Sequence, residues 1–464
     1  MSDFNYKTLG ELSKGLSRKE FSSVELLDDV IARYEQLEPR LNMFSHFDEE
    51  GARTSAEAAD RRIRRGEKLG ELDGIPTSVK DLIAVKDMPQ QFGSRAVSAA
   101  PVAADAPSAE RLRNAGAVIL GKSTTSEFGC KAVGDSPLTG VTRNPWDVAK
   151  TPGGSSCGAA AMVAAGLVPY SIGTDGGGSI RIPAALCGLF GIKAQFGRVP
   201  VFPTSATPTL AHVGPLARTV EDAAAVLNVI AGYDRRDPAT LNGPLPDFIG
   251  AGRGFRRMRI AWSPTLGYGR VDPEVRDITA RAVEKIAELG LDVELVENIM
   301  DDPIDLWTAE FYAGVGTKLR QVVQDEPDLL DPAVLGVLKL ALAQGMEPYY
   351  QKVFDRYAFR EKMRQFFERY DLLLTPTLPV VAFDTGLDVP PGFDDKSIVS
   401  WATFTYPFNL TGQPAASIPV GFTEAGLPVG LQVVASSHDE ASILSLASAF
   451  QRVNTQVTER RPPL

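Results

Sequence analysis

The chain is poor in the residues that most often carry metal or general-base chemistry. Among its 464 residues only three are cysteine (Cys130, Cys157, Cys187) and only three histidine (His46, His212, His438). Three cysteines cannot build a disulfide framework, and none stands at a metal-ligand spacing, so they read as reduced, buried side chains and no metal site is expected. The shortage of histidine narrows the ways in which a nucleophile could be activated. Positive charge is also in deficit, with a formal net charge of -10. The one dense basic run, Arg61-Arg62-Ile63-Arg64-Arg65, falls within a helical pattern and reads as a solvated face. Phosphate binding needs clustered Lys and Arg, so no nucleic-acid partner is expected.

Long apolar segments are missing too. The longest uncharged stretch, from Thr151 to Thr174, is broken by Gly153, Gly154, Gly158, Gly166 and Pro169, and reads as a buried small-residue helix between loops, with no membrane contact expected. The start, Met1-Ser2-Asp3-Phe4-Asn5-Tyr6-Lys7, has no apolar run behind a basic region, so no secretory leader is expected and a cytoplasmic location is the default.

What is present is periodic. Ser22 and Glu25 make a capping box, and Leu27, Val30, Ile31, Tyr34 and Leu37 repeat at helical spacing, which predicts a helix over 22–38 that ends before Pro39. A second helix is expected at about 52–66, then a short strand, Ile75-Pro76-Thr77-Ser78-Val79-Lys80. Helix and strand signals then alternate: helix 107–115, strand 117–120, helix 158–166, strand 168–172, and a helix at 219–232 capped by Thr219. Helices at 273–289 and 350–369, a strand from Leu372 to Thr377, two strands (415–420, 429–434) and a helix at 439–452 complete the pattern. Such alternation predicts an α/β sheet covered by helices on both faces. No repeat or linker interrupts it, so one continuous domain is expected.

Two glycine-rich loops each end in serine: Pro152-Gly153-Gly154-Ser155-Ser156-Cys157-Gly158 and Gly173-Thr174-Asp175-Gly176-Gly177-Gly178-Ser179-Ile180-Arg181. Consecutive glycines let several backbone N–H groups converge on one oxygen, as a developing oxyanion requires. Tight turns would use the same residues. A phosphate cradle fits poorly, since no Lys adjoins the glycines and Asp175 would repel an anion. Gly116-Ala117-Val118-Ile119-Leu120-Gly121-Lys122-Ser123 satisfies the letters of a nucleotide-binding loop. Its middle reads as strand where such a loop needs loop, so a nucleotide-binding protein is the weakest of the alternatives. No Gly-x-Ser-x-Gly elbow surrounds Ser155 or Ser179, and His212 is the only histidine near glycine-rich sequence. A buried, neutral lysine is then the base left for a serine nucleophile, and Lys80, at the end of an apolar strand, meets that demand.

These residues converge on a known pattern. Gly74 to Asp81, Asn144-Pro145-Trp146-Asp147, Pro152 to Gly158, Gly173 to Lys193, Gly214 to Asp222 and Leu373 to Thr377 together resemble the amidase signature family over nearly the whole chain. The resemblance implies a single amidase domain over 1–464 built on a mixed central β-sheet. Within it, 1–66 would be a helical cover, 70–222 the catalytic core, 245–400 a variable substrate-binding region, and 401–464 the strands and helix that complete the core. It places the catalytic roles on Lys80, Ser155 and Ser179, the oxyanion donors on the N–H groups of Gly176, Gly177, Gly178 and Ser179, and supporting roles on Ser156, Thr174, Asp175 and Arg181, the last two as an ion pair. The implied activity is hydrolysis of a small amide, carbamate or ester through an acyl-enzyme on Ser179, without cofactor. Phe404 to Pro414 is more similar to stand-alone members of the aryl acylamidase and urethanase type than to the alternative, the glutaminase (A) subunit of a tRNA-dependent amidotransferase. Phe128, Gly129, Cys130, Phe202, Trp307, Phe311, Trp401, Phe404 and Tyr406 are candidate pocket walls, with ordinary core packing the competing reading of each aromatic. A homodimer is left open. After Lys193 the family's usual Pro-Thr is replaced by Ala194-Gln195.

Overall fold

The computed structural model describes residues 4–393 and 397–464. Residues 1–3, at the head of the expected N-terminal cover, and 394–396, in the 245–400 region, lie outside the described residues.

Local sequence chemistry explains the N-terminal helices. Thr8 and Glu11 make a reciprocal capping box that starts a helix over Leu9–Arg18, which sequence periodicity did not single out; Ser22 and Glu25 do the same for Ser23–Leu41. This second helix does not stop before Pro39 as expected. It runs through the proline to Leu41, because Leu37 and Leu41 are both buried and Asn42 closes the last turn in a left-handed conformation. Burial there outweighs the one hydrogen bond that proline cannot donate.

The expected alternation is a sheet. Among the described residues eleven strands lie in the order Phe44–Phe47, Val118–Ser123, Pro76–Lys80, Tyr170–Asp175, His212–Ala217, Phe190–Lys193, Ala415–Phe422, Pro428–Ala435, Leu372–Pro376, Arg259–Trp262 and Asp292–Leu295. Val118–Ser123, Pro76–Lys80 and Tyr170–Asp175 run parallel, as do Leu372–Pro376, Arg259–Trp262 and Asp292–Leu295; the remaining neighbours are antiparallel. The sheet is therefore mixed. Separate apolar clusters cover its two sides. Helix Val220–Ile230 and the C-terminal helix Glu440–Val453 belong to one cluster, and Ser23–Leu41 and Cys157–Ala164 belong to another.

Parallel pairing has a direct consequence for chemistry. The carboxyl ends of Pro76–Lys80 and Tyr170–Asp175 open onto the same edge, so Lys80 and the glycine loop after Asp175 meet there. Helix Cys157–Ala164 packs beside these strands, with every residue buried. Gly158 allows it: a Cβ at that position would come within 2.1 Å of Met43 O. The small-residue composition is what brings the N-terminus of this helix, with Ser155 and Ser156, down to the strand ends.

The replaced pair after Lys193 also has a place. The Gln195 N–H donates to Glu440 Oε1 at 3.0 Å, and Gln195 Oε1 accepts from the His438 N–H at 3.1 Å, so Gln195 pins the entry to the C-terminal helix.

Candidate active site

Lys80 is fully buried at the end of its strand. Its Nζ lies 2.7 Å from Ser155 Oγ, 3.0 Å from Ser156 Oγ and 2.9 Å from Thr174 Oγ1. No carboxylate touches it among the described residues, and burial brings its pKa down from 10.5 to about 7, against weaker opposing influences from Cys157 and Asp175. A neutral amine has two protons and one lone pair, so one of three surrounding hydroxyls must donate to it. Ser155, the closest, is the natural donor. The Gly154–Ser155 peptide is cis. Ser156 is held by the backbone of Thr174, whose N–H donates to Ser156 Oγ at 3.3 Å and whose carbonyl accepts from it at 3.2 Å.

The loop that carries Ser179 is fastened to an ion pair. Arg181 and Asp175 are fully buried and joined by two hydrogen bonds of 2.9 Å, and Asp175 also accepts from the Gly178 N–H at 2.8 Å and from Asn409 Nδ2 at 2.8 Å. Burial alone would raise the Asp175 pKa; Arg181 and these hydrogen bonds outweigh it and hold the carboxyl well below the usual carboxylate range. Arg181 further donates to Thr405 O, Gln432 Oε1 and Asn409 Oδ1, which ties the loop to the C-terminal segment.

The Gly178 donor corrects the sequence reading. Its N–H is already committed to Asp175, so it is not available to an oxyanion. The N–H groups of Gly176, Gly177 and Ser179 take no protein acceptor among the described residues.

Ser155, Thr174, Gly176 and Ser179 open onto a cavity of about 410 Å³. Its walls are apolar in the main: Leu82, Phe92, Val97, Val201, Val315 and Leu319 join Phe128, Phe202 and Phe311, with Gly129 beside Ser155. Of the candidate walls, Phe128, Gly129, Phe202 and Phe311 line this cavity. The other candidates do not. Trp401 is fully buried edge-on to Phe383, and Phe404 is fully buried against Gly269. Cys130 is buried behind the wall, its carbonyl accepting from Tyr312 Oη at 3.1 Å. Trp307 lies under the glycine loop, its Nε1 donating to Gly176 O at 2.8 Å. The Tyr406 hydroxyl donates to Asp302 Oδ1 at 2.7 Å, away from the cavity. Segments 82–97 and 200–213 supply much of the wall, and only Phe202 was singled out there. The apolar, proline-flanked run Pro200-Val201-Phe202-Pro203 was the available signal.

His212 lines the cavity, yet no hydrogen bond joins it to either serine among the described residues. Nδ1 sits 2.7 Å from Leu210 O, which can only accept, so the proton is on Nδ1. Burial, with Lys193 nearby, depresses its pKa and keeps the ring neutral. Lys122 of the apparent nucleotide motif is a fully buried strand residue whose Nζ donates to Ile83 O at 2.7 Å and lies 3.4 Å from Asp81.

Fold and site together define a class. The family model described as Amidase matches residues 25–444, and the chain belongs to the amidase signature family, enzymes that hydrolyse carbon–nitrogen bonds. Among its relatives, the (A) subunit of the glutamyl-tRNA(Gln) amidotransferase of Chloroflexus aggregans is 37% identical, covering 100% of this chain and 99% of that protein. An acylamidase of Rhodococcus erythropolis is 34% identical over 96% of this chain and 94% of its own. Among solved structures, a bacterial aryl acylamidase superposes with a TM-score of 0.92 at 30% identity, covering 99% of each chain. Among the described residues no helix is long and apolar enough to cross a membrane.

Proposed function

We propose that the protein is a stand-alone amidase for small apolar amides, aryl or alkyl, with Ser179 as nucleophile and Ser155 and Lys80 as its proton relay. Neutral Lys80 takes the proton of Ser155, Ser155 takes that of Ser179, and Ser179 Oγ attacks the amide carbonyl. The carbonyl oxygen, now negative, is met by the N–H groups of Gly176, Gly177 and Ser179. Collapse of the tetrahedral adduct breaks the C–N bond as Ser155 protonates the leaving amine and recovers its own proton from Lys80. Water then attacks the ester on Ser179 by the same relay and releases the acid. The wall chemistry would also accept carbamates and esters of similar shape.

The single observation that carries the substrate class is the lining of the cavity. Among the described residues it contains no Asp, Glu or Arg, and Lys318 is its only cation. Free glutamine carries an ammonium and a carboxylate, and burying both without partners is costly. An aryl or alkyl amide asks for no such partners and gains from apolar contact.

A second reading rests on kinship, since the Chloroflexus aggregans amidotransferase protein is 37% identical over the full chain. It would make this protein a glutaminase that works in a complex with other proteins. Turnover of 4-nitroacetanilide, aliphatic amides, dicarbamates and 4-nitrophenyl acetate, measured against ammonia release from glutamine, separates the two. The expected result is cleavage of the aryl substrates and no glutaminase activity. Glutamine hydrolysis that exceeds anilide hydrolysis and disappears in Ser179→Ala would replace the first reading by the second.

A further inference from the structure

The glycine loop is gripped by its carbonyls. Asp175 O accepts from Asn409 Nδ2 at 3.1 Å, Gly176 O from Trp307 Nε1 at 2.8 Å, Gly177 O from Thr405 Oγ1 at 2.6 Å, and Gly178 O from the Ile182 N–H at 2.7 Å. Thr405 Oγ1 is 3.0 Å from Ala402 O, so the loop carbonyl is the nearer acceptor for its single proton. In a planar trans peptide the N–H points opposite to the preceding carbonyl. Fixing a carbonyl therefore aims the next N–H, and four successive carbonyls are fixed here.

We infer that Trp307 and Thr405 are positioning residues for the oxyanion donors, acting through the backbone and not by touching substrate. Trp307 fixes the peptide that ends in the Gly177 N–H. Thr405 fixes the next one, whose N–H closes onto Asp175 and so sets the turn that presents the Ser179 N–H. The indole also fills the space beside the loop: a Cβ on Gly177 would lie 2.5 Å from Trp307 Cζ2, and one on Gly178 would lie 2.3 Å from Thr405 Oγ1. The two clamps come from different parts of the chain. Trp307 belongs to helix Ile304–Lys318, which also contributes Phe311 and Val315 to the cavity wall, and Phe311 stacks on Trp307 with ring centroids 4.5 Å apart. One helix thus shapes the substrate pocket and aims a donor at the reacting carbonyl.

Donors held in advance stabilise charge that develops only in the transition state, so loosening them lowers kcat and leaves ground-state binding alone. This inference rests on the Ser179 reading above, and the experiment separates the two. Kinetics on 4-nitroacetanilide or 4-nitrophenyl acetate, whichever the wild type turns over faster, are compared for Ser179→Ala, Trp307→Phe, Thr405→Val and Thr405→Ser. Trp307→Phe keeps a ring and removes the donor; Thr405→Val keeps the shape and removes the hydroxyl. Both are expected to lose about 10- to 100-fold in kcat with KM within about twofold. Thr405→Ser restores most of the rate, and inhibition by benzeneboronic acid, whose adduct mimics the tetrahedral oxygen, weakens in step with kcat. Unchanged kcat in Trp307→Phe and Thr405→Val beside a dead Ser179→Ala overturns the clamp and leaves the nucleophile standing, as does an effect confined to KM. An active Ser179→Ala overturns the underlying reading instead. If Trp307→Phe fails to fold, the Thr405→Val and Thr405→Ser pair decides.

Discussion

Lys80 and Asp175 stand at the ends of adjoining parallel strands without forming an ion pair. The lysine spends its contacts on three hydroxyls, and the carboxylate spends its own on Arg181, Asn409 and the glycine loop. Opposite charges kept apart in this way leave the amine free to lose its proton near neutrality.

The pH profile of kcat/KM follows from that arrangement. With Lys80 brought down to about 7, activity is expected to rise with pH through a single ionisation near that value and to level off above it, because only the neutral amine accepts a proton. An initial-rate series from pH 5 to 10 on an uncharged substrate checks this. A flat profile across neutrality would remove Lys80 as the base.

The same lysine costs the fold stability. Its pKa is lower folded than unfolded, so the unfolded chain binds the extra proton between about 7 and 10.5 and wild-type stability rises with pH across that window. The penalty is largest below pH 7, at roughly 5 kcal/mol for such a shift, less whatever the three hydroxyl contacts return. Lys80→Met is expected to be inactive yet to melt no lower than wild type at pH 6, with any gain in Tm shrinking as pH rises. A Tm well below wild type at pH 6 would contradict the account.

Arg181→Met tests the ion pair. It leaves the Asp175 carboxylate buried beside Lys80 with its main partner gone, a loss of about 3–5 kcal/mol by denaturant unfolding. In whatever fraction folds, Asp175 is expected to draw on Lys80, so the single ionisation on the rising side of the pH profile moves to higher pH. Arg181→Lys is expected to rescue little, since one ammonium cannot serve Asp175, Thr405, Gln432 and Asn409 together.

Sequence carried some of these features and not others, for physical reasons. Ser155 and Ser179 stood out because glycine-rich loops are a local signal, and helices such as Val220–Ile230 announced themselves by cap and periodicity, whereas Lys80, one lysine among many, was selected only by the family resemblance. The Asp292–Leu295 strand gave no signal, since it lies at the sheet edge with most of its residues exposed. Which aromatics face substrate was also hidden. The cavity is assembled from segments around 82–97, 128–129, 200–213 and 311–319, and apart from the prolines flanking Phe202 nothing in the sequence separates that wall residue from Trp401, packed in the core.

That distinction supports a paired prediction. Phe202 lines the cavity and keeps 37% of its surface exposed, so Phe202→Ala removes apolar contact with substrate while leaving little void in the fold. A several-fold rise in KM for aryl amides is expected, with kcat and Tm nearly unchanged, because uniform binding is lost and transition-state contacts are not. Trp401→Ala removes a fully buried indole instead and is expected to destabilise by about 3–5 kcal/mol. Its KM, measured well below its melting temperature, should match that of wild type, since the ring does not line the cavity. Steady-state kinetics on 4-nitroacetanilide with thermal melts of both variants provide the check. A rise in KM for Trp401→Ala equal to that for Phe202→Ala would return Trp401 to the pocket.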